Sequence, residues 1–469
     1  MANDDSDPQD FQEFLRRMMS GGGFDADSLG EAMRNMGGPD GISIDPAMMQ
    51  QMFSQLQGAF GGDPWENAKR QALHIANQEG KGIASGARSS VVDAFTLADL
   101  WLSEATTLSE LSSPPQAMTR GEWVEQTVPV WREIADPVST SIADALVQAL
   151  DGQVPDDMRE MVQGAGKMMR GLGATMFAAQ FGRVLGNLSR EVVSGGDVGI
   201  PVLPAGTAAV IPQNIADFGE GLEIPDDQIA LYLAVRELAY ARLYRHAKWL
   251  HLQLLSQITD FARGVTVDVE ALEDVAGRLD PSNPEELREA IEGGALLPAQ
   301  SEAQKEALTR LENLVATVDG WVDVVTSDAI ARLPDGPRLS EAARRRRAAG
   351  GPAEEAFGAL VGLKLRPRRL REASAMWRAV TDAVGAASRD ALWDYPDLMP
   401  QASDIDDPSS LIERLQAVQR GETPEADEFD EALTRLLNGE DFGETPSEDA
   451  HDETDDSDDG EPPSGEKPV

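Results

Sequence analysis

The stretch "IPDDQIALYLAVRELAYARLYRHAKWL", residues 224 to 250, decides how the chain is read. Leu231, Ala234, Val235, Leu238 and Ala241 recur at threes and fours, and Ile229, Leu233, Leu243, Ala247 and Leu250 cover a second side. A helix apolar on nearly every side is a buried one, so the spacing predicts a core helix from about Asp226 to Leu250, with Asp226 and Asp227 as its cap. The remaining row is Tyr232, Arg236, Tyr240 and Tyr244, four apart, and it holds three of the chain's four tyrosines. Glu237 leans toward that row. Neighbours in a helix do not face each other, so Arg236 and Glu237 must each find partners elsewhere. Arg236 can stack on tyrosine rings; Glu237 can accept hydrogen bonds from tyrosine hydroxyls or a distant Arg.

Immediately before this helix, "VGIPVLPAGTAAVIPQNI" (198 to 215) alternates β-branched residues with Pro and Gly, and is expected to form two or three short strands at an edge or in a hairpin. Elsewhere the pattern is helical: residues 89 to 110, the run opened by the cap residue Ser301, and residues 370 to 393. The glycines of "GAGKMMRG" (164 to 171) and "GLGATMFAAQFGRVLG" (171 to 186) suit close helix packing. The fold class expected is mainly α with a small β element (α+β). Three regions follow: a Gly-, Met- and Asp-rich disordered segment at 1–62, a mainly helical core at 63–420, and an acidic, mostly disordered tail at 421–469 whose only bases are Arg435 and Lys467.

The chain carries 82 acidic and 40 basic residues, a net charge of -42, which disfavours nucleic acid as a partner. Without cysteine, disulfides, thiolate metal sites and a Cys nucleophile are excluded, and a reducing, cytoplasmic location is expected. The N-terminus is acidic and polar, and no apolar run approaches the length of a membrane span, so neither a signal peptide nor a membrane partner is expected. The exception to the acidic balance is 338–371, with ten bases against three acids; the acidic tail is a candidate contact for it, in competition with an anionic partner.

Chemistry-bearing motifs are scarce. "GAGKMMRG" lacks the spacing of a phosphate-binding loop, and there is no Gly-x-Ser-x-Gly elbow. Of the four histidines, His74 and His451 lie far along the chain, while His246 and His251 are five apart, about 140° around a helix, and cannot converge on one ion while that helix is regular.

The stretch 224–250, together with "VDGWVDVV" (318 to 325), "RRRRAAGGPAEEAFGALVGLKLRPRRLREASAMW" (344 to 377) and "RDALWDYPDLMPQASDIDDP" (389 to 408), resembles a bacterial, mostly actinobacterial, family of zincin-like zinc-dependent metalloproteases or proposed hydrolases, one branch of which is linked with deazaflavin-coenzyme biosynthesis. The resemblance spans about 63–420. It implies a zincin-like core in which short strands lead into an active-site helix, and zinc as the family's cofactor. In the motif His-Glu-x-x-His, Arg236 stands where the first zinc-binding His would be, Glu237 where the general base would be, and Tyr240 where the second His would be; Asp319 falls near the place of a third ligand, with Tyr244 lining the site.

Both histidines are thus substituted. An Arg about 4 Å from Zn²⁺ would be repelled by roughly 8 kcal/mol at an effective dielectric near 20. The expectation is therefore no bound zinc and a pseudoenzyme whose cleft takes a protein or peptide partner, with Arg236 occupying the metal's place and serving Glu237 or Asp319 as a cation. An active hydrolase using Glu237 as general base, and a helical protein-interaction module, are the alternatives.

Overall fold

The computed structural model describes residues 63–151, 175, 177–263, 301–349, 354, 357–358 and 369–422. The expectations placed on 1–62, 164–171 and the acidic tail beyond residue 422 lie outside these residues. The chain divides into two units, Met1–Glu413 and Arg414–Val469; the architecture below is that of the first.

The fold is mainly helical. Helices α1 (Pro64–Gln78), α2 (Ser85–Ala105) and α3 (Arg120–Asp151) come first, with strand β1 (Gln116–Ala117) between α2 and α3. Strand β2 (Ala209–Val210), α4 (Pro212–Gly219) and α5 (Asp226–His246) follow, then α6 (Trp249–Arg263), α7 (Glu302–Ala329), α8 (Gly336–Ala348) and α9 (Leu370–Ala391). The glycine pattern at 171–186 is explained in part. A Cβ on Gly182 would come within 2.9 Å of Ala68 Cα, and one on Gly186 within 2.7 Å of Ile75 Cβ, because helical residues 177–191 lie directly on α1.

Sequence reading found the helices but missed details of their ends. The central helix stops at His246, Ala247 caps it, and a new helix starts at Trp249, so His246 and His251 do not share one regular helix. Its N-cap is Pro225, without a side-chain bond; Asp226 and Asp227 sit in the first turn, where they oppose the positive end of the helix dipole. At α7 the expected cap is present as a full capping box between Ser301 and Gln304.

The expected hairpin at 198–215 is not formed. Only Ala209–Val210 is a strand, and it pairs in parallel with Gln116–Ala117, with an antiparallel bridge from Val210 to Ser194. Pro201 and Pro204 have no N–H to offer a ladder, and Gly199 and Gly206 adopt positive φ, which together keep 198–208 out of a sheet.

Helix α5 packs against α2, and α7 packs against both α9 and α6. Gly320 lets α7 and α9 approach until a Cβ there would lie 2.8 Å from that of Ala373. Beside this crossing, Trp377 and Trp393 stack at 5.5 Å while Trp321 meets Trp393 edge-on at 6.3 Å. Asp390, wholly enclosed, ties the layers together. It accepts from Thr106 Oγ1 and the Thr107 N–H at 2.7 Å each, from Arg389 Nε at 2.8 Å, and from Trp321 Nε1 at 3.0 Å. Arg389 in turn donates to the Ala105 carbonyl at the end of α2 at 2.8 Å. Arg389, Asp390 and Trp393, from the stretch quoted for the family resemblance, are therefore framework. Asp390→Ala leaves Arg389 buried without its closest carboxylate and should cost about 3–5 kcal/mol in urea unfolding; a loss below about 1 kcal/mol would contradict this role.

Candidate functional site

Glu237 is 1% exposed, and its carboxylate does not turn to tyrosine hydroxyls or to an Arg, as the row of four had suggested. It accepts the Gly196 N–H at 2.7 Å and the Ala209 N–H at 2.9 Å, one on each oxygen. The first donor comes from the segment "SGGDVG" (194 to 199), the second from β2. That segment crosses α5 so closely that a Cβ on Gly195 would come 2.8 Å from Glu237 Oε1, and one on Gly196 would fall on the Tyr240 ring. Glycine at 195 and 196 is what lets backbone amides reach the carboxylate. The pair Gly195–Gly196, bracketed by the apolar residues before Ser194 and after Asp197, was the signal available in the sequence, and sequence reading passed over it.

Burial pushes the Glu237 carboxyl from 4.5 up to about 7, with the Ala209 and Gly196 amides and the Ser194 hydroxyl offsetting part of that rise.

The other positions of the altered motif form a separate chain of contacts. Arg236 donates to Tyr240 Oη at 3.1 Å while its guanidinium lies 5.3 Å over the Tyr240 ring, so the stacking expected of it is present. Tyr240 Oη donates a hydrogen bond to Asp319 Oδ1. The second oxygen of Asp319 accepts from Arg347 Nε at 2.8 Å. Arg347 also donates to the carbonyls of Asp197, at 2.9 Å, and Val198, at 3.3 Å. Burial raises the Tyr240 and Tyr244 phenols far above their ordinary value, so both are neutral. Tyr244 stacks on Tyr240 at 6.0 Å and donates to the Gly199 carbonyl at 2.9 Å.

The structure thus brings Arg236, Tyr240, Tyr244 and Asp319 together, and Glu237 lines the same pocket as Tyr240 and Tyr244. The direct ion pair of Asp319 is with Arg347, while Arg236 acts on Asp319 through space and through Tyr240. Arg347 had been read as one of the bases of 338–371. In that segment Arg344 pairs with Asp323 at 2.8 Å, Arg346 with Asp197 at 2.8 Å and Arg347 with Asp319, so these bases are engaged by acids of the core.

These residues do not fit a zinc ion. A guanidinium cannot ligate a cation, the phenol of Tyr240 is held neutral and donates its hydrogen bond to Asp319, and both oxygens of Asp319 are already engaged. The three described histidines do not converge on these residues: His246 meets Asp394 at 2.8 Å, His74 meets Gln78 at 3.2 Å, and His251, at the wall of the pocket beside Glu237, meets Glu133 at 3.3 Å. Among the described residues no three His, Asp or Glu side chains are grouped to hold a metal.

Beside Glu237 opens a pocket of about 310 Å³. Its wall is chiefly the 201–207 segment, with Glu237, Tyr240 and Tyr244 on one side and Lys248 and His251 also lining it.

Residues 64–412 match the family model described as zincin-like metallopeptidase. The chain is also similar in structure to a proposed hydrolase with a novel fold from Chloroflexus aurantiacus, at 18% identity and a TM-score of 0.52, over 75% of this chain and 98% of that one. No curated protein matches.

Between pH 4.5 and 7 folded Glu237 keeps a proton that the unfolded chain releases. The unfolded state then binds fewer protons, so this group makes stability fall as pH rises through that window and level off above it. The full effect is about 3 kcal/mol. Glu237→Gln should remove this slope, and should itself cost about 1–3 kcal/mol because its NH₂ group faces an N–H donor. Urea unfolding of both proteins from pH 4.5 to 8 checks this, and parallel pH profiles would contradict it.

Proposed function

We propose that this chain, which belongs to the zincin-like metallopeptidase family, is a pseudoenzyme in which an internal ion-pair network replaces the catalytic metal and the pocket beside Glu237 serves binding. The observation that carries this reading is the double engagement of Asp319 by Tyr240 and Arg347. A metallopeptidase needs about three protein ligands and an open position for water. Here the candidate third ligand already accepts a donor on each oxygen, and the two histidine positions hold a cation and a neutral phenol. The pocket then takes a peptide or protein segment, with the apolar 201–207 wall as its contact surface. The chain's membership of a metallopeptidase family supports a hydrolase-like ancestry for that cleft.

One observation favours a second reading, hydrolysis with Glu237 as general base. A carboxyl titrating at about 7 at the edge of a pocket suits proton abstraction. Against it, Glu237 is 1% exposed and each of its oxygens already accepts a backbone amide, so it is held as a buried structural acceptor.

Purified from zinc-supplemented cells, the native chain should carry well under one zinc per chain, and peptide hydrolysis should be absent before and after Glu237→Gln. Stoichiometric zinc, or turnover lost on Glu237→Gln, would overturn the reading in favour of the second. Arg236→His combined with Tyr240→His frees one oxygen of Asp319 and should create a zinc site of about one ion per chain by equilibrium dialysis; failure of a folded double variant to bind zinc would count against a zincin geometry being retained.

A further inference from the structure

The pocket beside Glu237 joins an apolar wall to one unpaired cation. Pro201, Leu203, Pro204 and Ala205 line the wall, and Lys248, exposed just past the end of α5, also lines it. The pocket's other ionisable groups are committed: His251 faces Glu133 at 3.3 Å, Glu237 accepts the Gly196 and Ala209 amides, and both phenols are neutral. The Lys248 ammonium has no ion pair or hydrogen bond among the described residues. The wall also offers backbone. Residues 201–206 belong to no ladder, and the N–H groups of Leu203, Ala205 and Gly206 have no hydrogen-bond partner among the described residues. Leu203 is 7% exposed, a setting in which a backbone N–H is seldom left unpaired.

We propose that this pocket captures the C-terminal residue of a peptide, with a large apolar side chain against the 201–207 wall, the backbone on the unpaired amides of that wall, and the terminal carboxylate on Lys248. At about 310 Å³ the pocket is at the small end of ligand sites and has room for one residue rather than for a folded partner. An internal residue would bring only neutral amides to Lys248, whereas a terminal carboxylate gives it a charge-assisted bond. A single carboxylate also suits a chain of net charge -42, which repels a strongly acidic partner. Two acids of this chain stand near. Glu133 is taken up by His251, and Glu237 lies about three turns back along α5 from Lys248, so neither is placed to neutralise the lysine. The inference rests on the pocket being a binding site, as proposed above. Zinc or turnover in the native chain would sink that reading, whereas indifference to the peptide's end sinks this one alone.

The full chain is titrated, by saturation-transfer NMR, with N-acetyl-dialanyl-leucine bearing a free carboxylate, with the same peptide amidated, and with octanoate. The free acid should bind saturably and the amide about fivefold more weakly, the range of an exposed ion pair, with the difference fading as salt is added. Lys248→Ala should erase that difference by weakening the acid alone. Ala205→Trp, which fills the pocket from an exposed position of its wall, should abolish binding of both peptides. Equal binding of acid and amide, or a preference that survives Lys248→Ala, overturns the proposal. Octanoate binding as tightly as the peptide acid overturns it too, because no peptide backbone would then be recognised. Binding that survives Ala205→Trp places the peptide outside the pocket, and binding of neither peptide leaves no capture at all; each result overturns the proposal.

Discussion

Asp319 is 0% exposed on α7, and a carboxylate so placed must be neutralised or the fold bears its full desolvation cost. Tyr240 from α5 and Arg347 from α8 do this together, one on each oxygen. The requirement fixes the mutual placement of three helices. It also anchors the 197–198 backbone, since Arg347 donates to both of those carbonyls. The same segment carries Gly196, whose N–H holds Glu237. The orientation of Glu237, which the resemblance sets at the place of a general base, therefore depends, two steps removed, on how Asp319 is satisfied.

This dependence links the arginine-rich helix to the altered site. Arg344, Arg346 and Arg347 read as a basic patch when seen in the sequence, yet they meet Asp323, Asp197 and Asp319. In the proposed reading, guanidiniums from α8 supply to these acids the positive charge that a metal would have supplied. An ion pair buried this deeply is a doubtful source of net stability, but removal of either partner is costly, which makes the arrangement hard to lose one residue at a time.

The helices of the core were legible because their apolar periodicity is strong, and the capping box at Ser301 was legible because it is local in sequence. Residues 236, 237, 240, 244 and 319 stood out on motif spacing and the family resemblance; Arg236, Tyr240, Tyr244 and Asp319 share contacts, and Glu237 is held by backbone amides. What escaped were contacts set by tertiary packing. Nothing local announces that Val210 pairs with Ala117, some ninety residues earlier, and the prolines at 201 and 204 looked like edge markers when they end the strand altogether. Arg347 was hidden by its neighbours, since in "RRRR" each Arg looks alike, and only helical phase and burial select it. Glu237 was assigned to the tyrosine row because its spacing permits that, while the amides that hold it carry no side-chain signature.

The central claim is that Tyr240, Asp319 and Arg347 act as one unit in place of a metal. A double-mutant cycle on Tyr240→Phe and Arg347→Gln, read by urea unfolding in the presence of a chelator, tests it most directly. Residues sharing one buried carboxylate should couple by about 1–3 kcal/mol, because the first substitution already unbalances what the second acts on. Additive effects within about 0.5 kcal/mol would contradict the account.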